Sequence, residues 1–199
     1  APDAGFDGYQ QLDPKDLSTR SVVDRQVQAI WCALLYEWDL SYINPPPSYS
    51  LRTQRLRTPS DILAGKRGTC IDLALLLAAC LEYIDIYPSL ILLKGHAFPA
   101  YWRSDVAHEN FVLADSSGRT ATTNAASTSP EIGSRDPSSV LGRYGWVFDK
   151  RQFGELMQCI QRGDLVPLET VWLTTHSGFS EACEAGLQNL RNPKEFDSM

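Results

Sequence analysis

Residues 70–84 dictate more about this fold than any other part of the chain, because they are apolar on almost every face of a helix. Leu73, Leu76, Leu77, Cys80, Leu81 and Ile84 recur at helical spacing, while Ala74, Leu75, Ala78 and Ala79 fill most of the remaining surface. A helix of that kind must be buried nearly all round, so the rest of the chain has to wrap it. Its start is marked by Thr69, a good N-cap, and by Asp72 three residues on, where a capping-box acid reaches back. Cys70 then takes the first helical position, and Pro88 sets a limit that places the end near Ile86.

A cysteine at a helix start is chemically primed. The first backbone N–H groups have no helical acceptor and the macrodipole is positive there, so a thiolate is favoured and the thiol pKa should fall. After Pro88, residues 89–94 form a short apolar run with the length of a buried strand, followed by Gly95-His96-Ala97-Phe98. A helix from Cys70 to Ile86 climbs roughly 24 Å, and an extended chain from Pro88 to His96 returns roughly 26 Å. Matching lengths bring His96 back beside Cys70 if the strand packs antiparallel on the helix. A Cys–His pair suffices for covalent acyl transfer, with the imidazole taking the thiol proton and returning it to the leaving group.

The run from Arg57-Thr58-Pro59 through Gly68-Thr69-Cys70-Ile71-Asp72-Leu73-Ala74 to Gly95-His96-Ala97-Phe98 resembles the core of the transglutaminase-like superfamily. That superfamily contains cysteine peptidases, amidases and transglutaminases. More narrowly, the run is similar to a bacterial transglutaminase-like branch found as a module within larger proteins. The likeness extends into Leu165-Val166-Pro167-Leu168-Glu169-Thr170 and Gly178-Phe179-Ser180-Glu181-Ala182, covering about residues 50–103 and 150–190. It implies an α+β fold with a papain-like core, helices packed on an antiparallel sheet, and the nucleophile at a helix N-terminus. It also implies Cys70 as nucleophile, His96 as base and a carboxylate as the third member of a triad.

Two segments can supply that acid. Glu169 is preferred, since residues 166–170 match the family's acid-bearing strand in their order of apolar residues, proline, acid and threonine. Asp115 is the alternative; it ends the run Asn110-Phe111-Val112-Leu113-Ala114-Asp115 and lies at the distance after His96 that compact members show. Either would orient the imidazole and stabilise imidazolium. For the oxyanion, the backbone N–H of Cys70 is one donor, and the resemblance points to Gln54 as the side-chain donor, with the indoles of Trp31 and Trp38 as alternatives. Cys32, Cys80, Cys159 and Cys183 sit within apolar helical patterns and are expected to be packing residues, and His108 and His176 to lie on the surface.

Rival chemistries fail on spacing or composition. Five cysteines and three histidines contain no Cys-x-x-Cys, no His-x-x-x-His and no mixed cluster, so no metal site is expected; no phosphate-binding Gly-rich loop or cofactor motif occurs either. A net charge of −6 excludes a strongly basic nucleic-acid-binding face, and no run approaches the ~18 apolar residues of a membrane span. An odd cysteine count without framework spacing fits a reducing, cytoplasmic setting. A first residue other than methionine, together with the modular resemblance, leads to the expectation of a domain excised from a larger chain, whose flanking domains would be its partners.

The remaining elements follow from local signals. Residues 1–17 read as an irregular polar arm, and residues 18–199 as one transglutaminase-like domain. Val23, Val27, Ile30, Leu34 and Trp38 make the apolar stripe of a helix over about 18–38, and Pro45-Pro46-Pro47 forces an extended segment. Thr58-Pro59 opens a short helix to about Ala64. Residues 115–140 are dense in Ser, Thr, Ala and Gly and read as a long surface loop. Helices over about 150–162 and 179–190 flank the Glu169 strand. The function that best fits is a cysteine hydrolase acting on a peptide or isopeptide bond of a protein or peptide substrate; a transglutaminase-type acyltransferase and a non-catalytic binding module are the alternatives.

Overall fold

The computed structural model describes residues 8–9, 19–44, 56–119 and 150–191. In chain order they form α1 (Thr19–Glu37), β1 (Ser41–Tyr42), α2 (Pro59–Gly65), β2 (Arg67–Gly68), α3 (Cys70–Tyr83), β3 (Pro88–Leu93), β4 (His96–Trp102), α4 (Asp105–Arg119), α5 (Lys150–Arg162), β5 (Leu165–Pro167), a 3-10 helix η1 (Thr170–Thr175) and α6 (Phe179–Leu190). The class is mixed helix and sheet.

Helix α3 is enclosed as its composition demands. Leu73, Leu76, Leu77 and Leu81 are at most 1% exposed and share one core with Val23, Val27, Trp31, Leu34 and Leu35 of α1 and with Ile62 of α2. Burying each such side chain contributes about 1.5–3 kcal/mol. The helix ends at Tyr83, three residues earlier than the apolar pattern indicates. Asp85 adopts a left-handed φ of 59°, and the Ile86 N–H turns back to the Leu81 carbonyl at 3.0 Å, so Ile86 is still buried although it has left the helix.

Strands β3, β4 and β5 form an antiparallel sheet in that order. The central strand β4 divides two cores. Tyr101 enters the α1/α3 core, whereas Phe98, Ala100 and Trp102 join Ile91, Leu165, Leu156, Cys159 and Leu190 on the opposite face. Helices therefore cover both faces. The return path is a hairpin: Leu93 pairs with His96, Gly95 turns the chain with φ 77°, and His96 is the first residue of β4 rather than the end of β3. A second, two-stranded parallel pairing joins Tyr42 to Gly68 and Ser41 to Arg67.

Two expectations need correction. Residues 110–115, the run that ends in the alternative acid Asp115, lie within α4, so the expected surface loop does not start there. Ser104 starts that helix, accepting from Ala107 N–H through its hydroxyl at 3.4 Å and from His108 N–H through its carbonyl at 3.2 Å. Ala107 and Phe111, one turn apart, then pack on the second core, with Phe111 centred 5.3 Å from Trp102. The helix runs on to Arg119, so the expected loop begins later than residue 115, and its part over residues 120–140 lies outside the described residues. The other correction concerns Glu169: the strand stops at Pro167, and Glu169 instead caps η1 through a 3.0 Å bond from the Val171 N–H.

Helix α6 lies unusually close to β5. A Cβ at Gly186 would stand 2.8 Å from the Pro167 carbonyl carbon and 2.9 Å from the Leu168 nitrogen. Gly186→Ala should accordingly cost about 1–3 kcal/mol through backbone displacement. A urea midpoint unchanged from that of the parent protein would show that α6 can shift without loss.

Candidate active site

The first turn of α3 is built by a buried carboxylate. Thr69 caps the helix, its hydroxyl accepting from the Asp72 N–H at 3.4 Å, while Asp72 accepts from the Thr69 N–H and hydroxyl, both at 3.0 Å. Asp72 also accepts from the Arg57 N–H at 2.9 Å and from the Arg57 guanidinium at 2.8 Å, which ties the approach to α2 onto the start of α3. Burial pushes the Asp72 pKa up, but the bonds from Arg57 and Thr69 outweigh it and hold the carboxyl below its ordinary range. Gly68 permits this closeness, since a Cβ there would lie 3.1 Å from the Asp72 Cβ.

Cys70 occupies the first helical position, 8% exposed. The thiol is within hydrogen-bonding reach of His96, which is the largest influence on it and lowers its pKa. Burial opposes this, and the backbone N–H groups of Ala97 and Ile71 add to the lowering. His96 is raised to about 10, first by Cys70 and then by Glu169, against the opposing effect of burial. Both shifts favour the thiolate–imidazolium form of the pair. Cys80, Cys159 and Cys183 move the other way: burial pushes all three up, Cys183 to about 12.

Glu169 completes a line of three groups. Its Oε2 lies 2.6 Å from His96 Nε2, which leaves Nδ1 as the ring nitrogen for the thiol. The carboxylate is 3% exposed and doubly fixed: Oε1 accepts from the Val171 N–H at 3.0 Å, and Oε2 accepts from Asn189 Nδ2 at 2.6 Å. Its backbone N–H donates to Ala182 O at 3.0 Å, binding the same residue to α6. Phe98 lies tilted against the His96 ring with centroids 5.6 Å apart.

Of the residues singled out in the sequence, Cys70, His96 and Glu169 are brought together. Asp115 is carried on α4, and Gln54 lies outside the described residues. Trp31 is fully buried with its indole N–H donated to Ser177 O at 3.2 Å, and Trp38 packs on the first core. His108 is half-buried rather than fully exposed. It is stacked on Tyr87 with centroids 4.4 Å apart and set edge-on to Trp102, and burial lowers its pKa. His176 is exposed beside Asp39. All five cysteines are free thiols.

Two neighbours of the line escaped sequence reasoning. Tyr42, brought in by its pairing with Gly68, places its hydroxyl within hydrogen-bonding reach of Cys70; burial raises its pKa, and the charges of Cys70 and Glu169 add to the rise. Nothing in the local pattern of residues 41–47 foretells that pairing. Asn189 had a faint signal: Ala182, Ala185, Gly186 and Asn189 fall on one helical face, and small residues there announce close approach.

Among the described residues no group of three or more His, Cys, Asp or Glu is placed to hold a metal ion, and no helix is long and apolar enough to cross a membrane. No family model, curated protein or solved structure matches the chain.

Two outcomes follow from this geometry. Asp72→Ala removes the acceptor of two donors on Arg57 and two on Thr69, and should lower stability by about 3 kcal/mol and broaden Cys70 reactivity with it; an unchanged denaturation midpoint would refute the clamp. The depressed thiol pKa means that thiolate persists below the ordinary value of about 8.5. Iodoacetamide should therefore alkylate Cys70 ahead of the other four cysteines at mildly acidic pH, with His96→Ala shifting the rate profile upward in pH. Even labelling of all five, read by peptide mass spectrometry, would show that Cys70 is not activated.

Proposed function

We propose that the chain is a thiol hydrolase of the transglutaminase-like kind, cleaving a peptide or isopeptide bond through a Cys70 thioester. The observation that carries this reading is the line of Cys70, His96 and Glu169, with the imidazole between a thiol at a helix N-terminus and a buried, doubly fixed carboxylate.

The reaction follows from the ion pair. Cys70 thiolate attacks the carbonyl carbon, and the C–O π electrons move onto oxygen. His96 imidazolium gives its Nδ1 proton to the departing amine as the C–N bond breaks, leaving a thioester. Water then attacks the thioester while His96 removes one of its protons, and the carboxylic acid leaves as the Cys70 thiolate is restored. Glu169 stays ionised throughout, holding Nε2–H and keeping the ring oriented. Asn189 acts through Glu169 as a positioning residue.

The test is turnover of a glutamine-containing peptide with and without a primary amine, followed by mass spectrometry. Hydrolysis in both conditions, lost in Cys70→Ala and lowered at least roughly 100-fold in His96→Ala, is the expected result. A predominant amine adduct would reassign the same residues to acyl transfer. Turnover by Cys70→Ala at the parental rate would overturn the nucleophile. Replacing Glu169 by Ala should lower the rate far more than replacing Asp115 by Ala, and the reverse order would move the acid to α4.

A further inference from the structure

Tyr42 is the most exposed of the groups gathered around the thiol, 40% accessible, yet it is held there by backbone rather than by chance. Its strand partner is Gly68, the Ile43 N–H donates to Gly68 O at 3.0 Å, and the Ser41 N–H donates to Lys66 O at 2.9 Å. Gly68 is two residues before Cys70 and is itself pressed against Asp72 and Leu73. The backbone of Tyr42 is thus fixed relative to the nucleophile through a short path, and its hydroxyl interacts with the Cys70 sulfur.

We propose that Tyr42 is a catalytic residue whose hydroxyl donates to the oxyanion formed when Cys70 attacks a carbonyl. The assignment rests on the Cys70 nucleophile proposed above. When the carbon–sulfur bond forms, the sulfur loses its negative charge and becomes a weak acceptor, while the charge appears on an oxygen attached to the adjacent carbon. A hydroxyl already resting at the sulfur has only a bond length to follow it. The exchange favours the transition state over the resting enzyme, because a compact alkoxide accepts a hydrogen bond more strongly than a diffuse thiolate does. A phenol, with an ordinary pKa near 10, is protonated at neutral pH as a donor must be, and the nearby Cys70 and Glu169 push further in that direction. The Ile71 N–H, at the sulfur in the same turn of α3, is placed to donate beside it.

Two probes of one thiol separate this role from others. p-Nitrophenyl acetate acylates a thiolate through a tetrahedral oxyanion: the carbonyl carbon bonds to sulfur, and p-nitrophenolate leaves with the electrons of the broken C–O bond. Iodoacetamide alkylates by displacement of iodide and forms no oxyanion. In Tyr42→Phe, the burst of p-nitrophenolate should slow by roughly 100-fold, while alkylation of Cys70, compared at equal thiolate fraction, should keep its parental rate. Equal slowing with both reagents would make Tyr42 a support of the thiolate, and faster reaction with both would make it a gate. Either result overturns the oxyanion assignment and leaves the nucleophile standing. Failure of the parent protein to alkylate selectively at Cys70 would instead overturn the nucleophile, and this assignment with it.

Discussion

The site depends on one buried carboxylate that takes no part in the proposed chemistry. Asp72 accepts bonds from Thr69 and Arg57 at the first turn of α3, so a single residue closes the helix cap, anchors the approach to α2 and fixes the turn that presents Cys70. A lone charge so far from water would be costly, and it is tolerated because every bond it receives favours the ionised form. The clamp gives the thiol its orientation as well as its place, since the helix dipole acts on Cys70 only while the first turn is intact.

From that fixed point, the other members arrive by separate routes. The β3–β4 hairpin returns along α3 and leaves His96 at the head of β4, where Leu93 and Gly95 turn the chain. Glu169 comes from the opposite side of the same strand, because β5 pairs with β4 at Ala100, Tyr101 and Trp102 and then overshoots by two residues. Helix α6 secures that overshoot at Ala182 and Asn189. The close contact at Gly186 allows the helix to sit low enough for Asn189 to reach the carboxylate.

This division explains what could be read from the sequence. The Thr69–Asp72 box, the Thr58-Pro59 helix start and the stripe of α1 are signals within a few residues, and each has its element where expected, whereas α3 stops at Tyr83, short of the limit that Pro88 sets. Cys70 and His96 were recoverable together because two regular elements of known rise connect them directly. Residues 110–115 are ambiguous by themselves because Phe111, Val112 and Leu113 suit a strand as well as a helix; Ser104 and the spacing of Ala107 to Phe111 decide for the helix. Tyr42 depends on a two-residue bridge to a distant turn, a contact with no periodic signature at all.

Exposure across the site is uneven, and the difference has chemical meaning. Glu169 is 3% exposed and Cys70 8%, whereas the His96 side chain is 30% exposed and Tyr42 40%. Water is thus kept from the carboxylate, where it would weaken the bond to Nε2, and admitted on the side of the ring and phenol. In a medium of intermediate dielectric, the pull of Glu169 on the imidazolium is several times what it would be in bulk water. In the proposed reaction the substrate carbonyl, and then water, arrive on the open side of the ring and phenol, while the dry end at the acid holds the ion pair together.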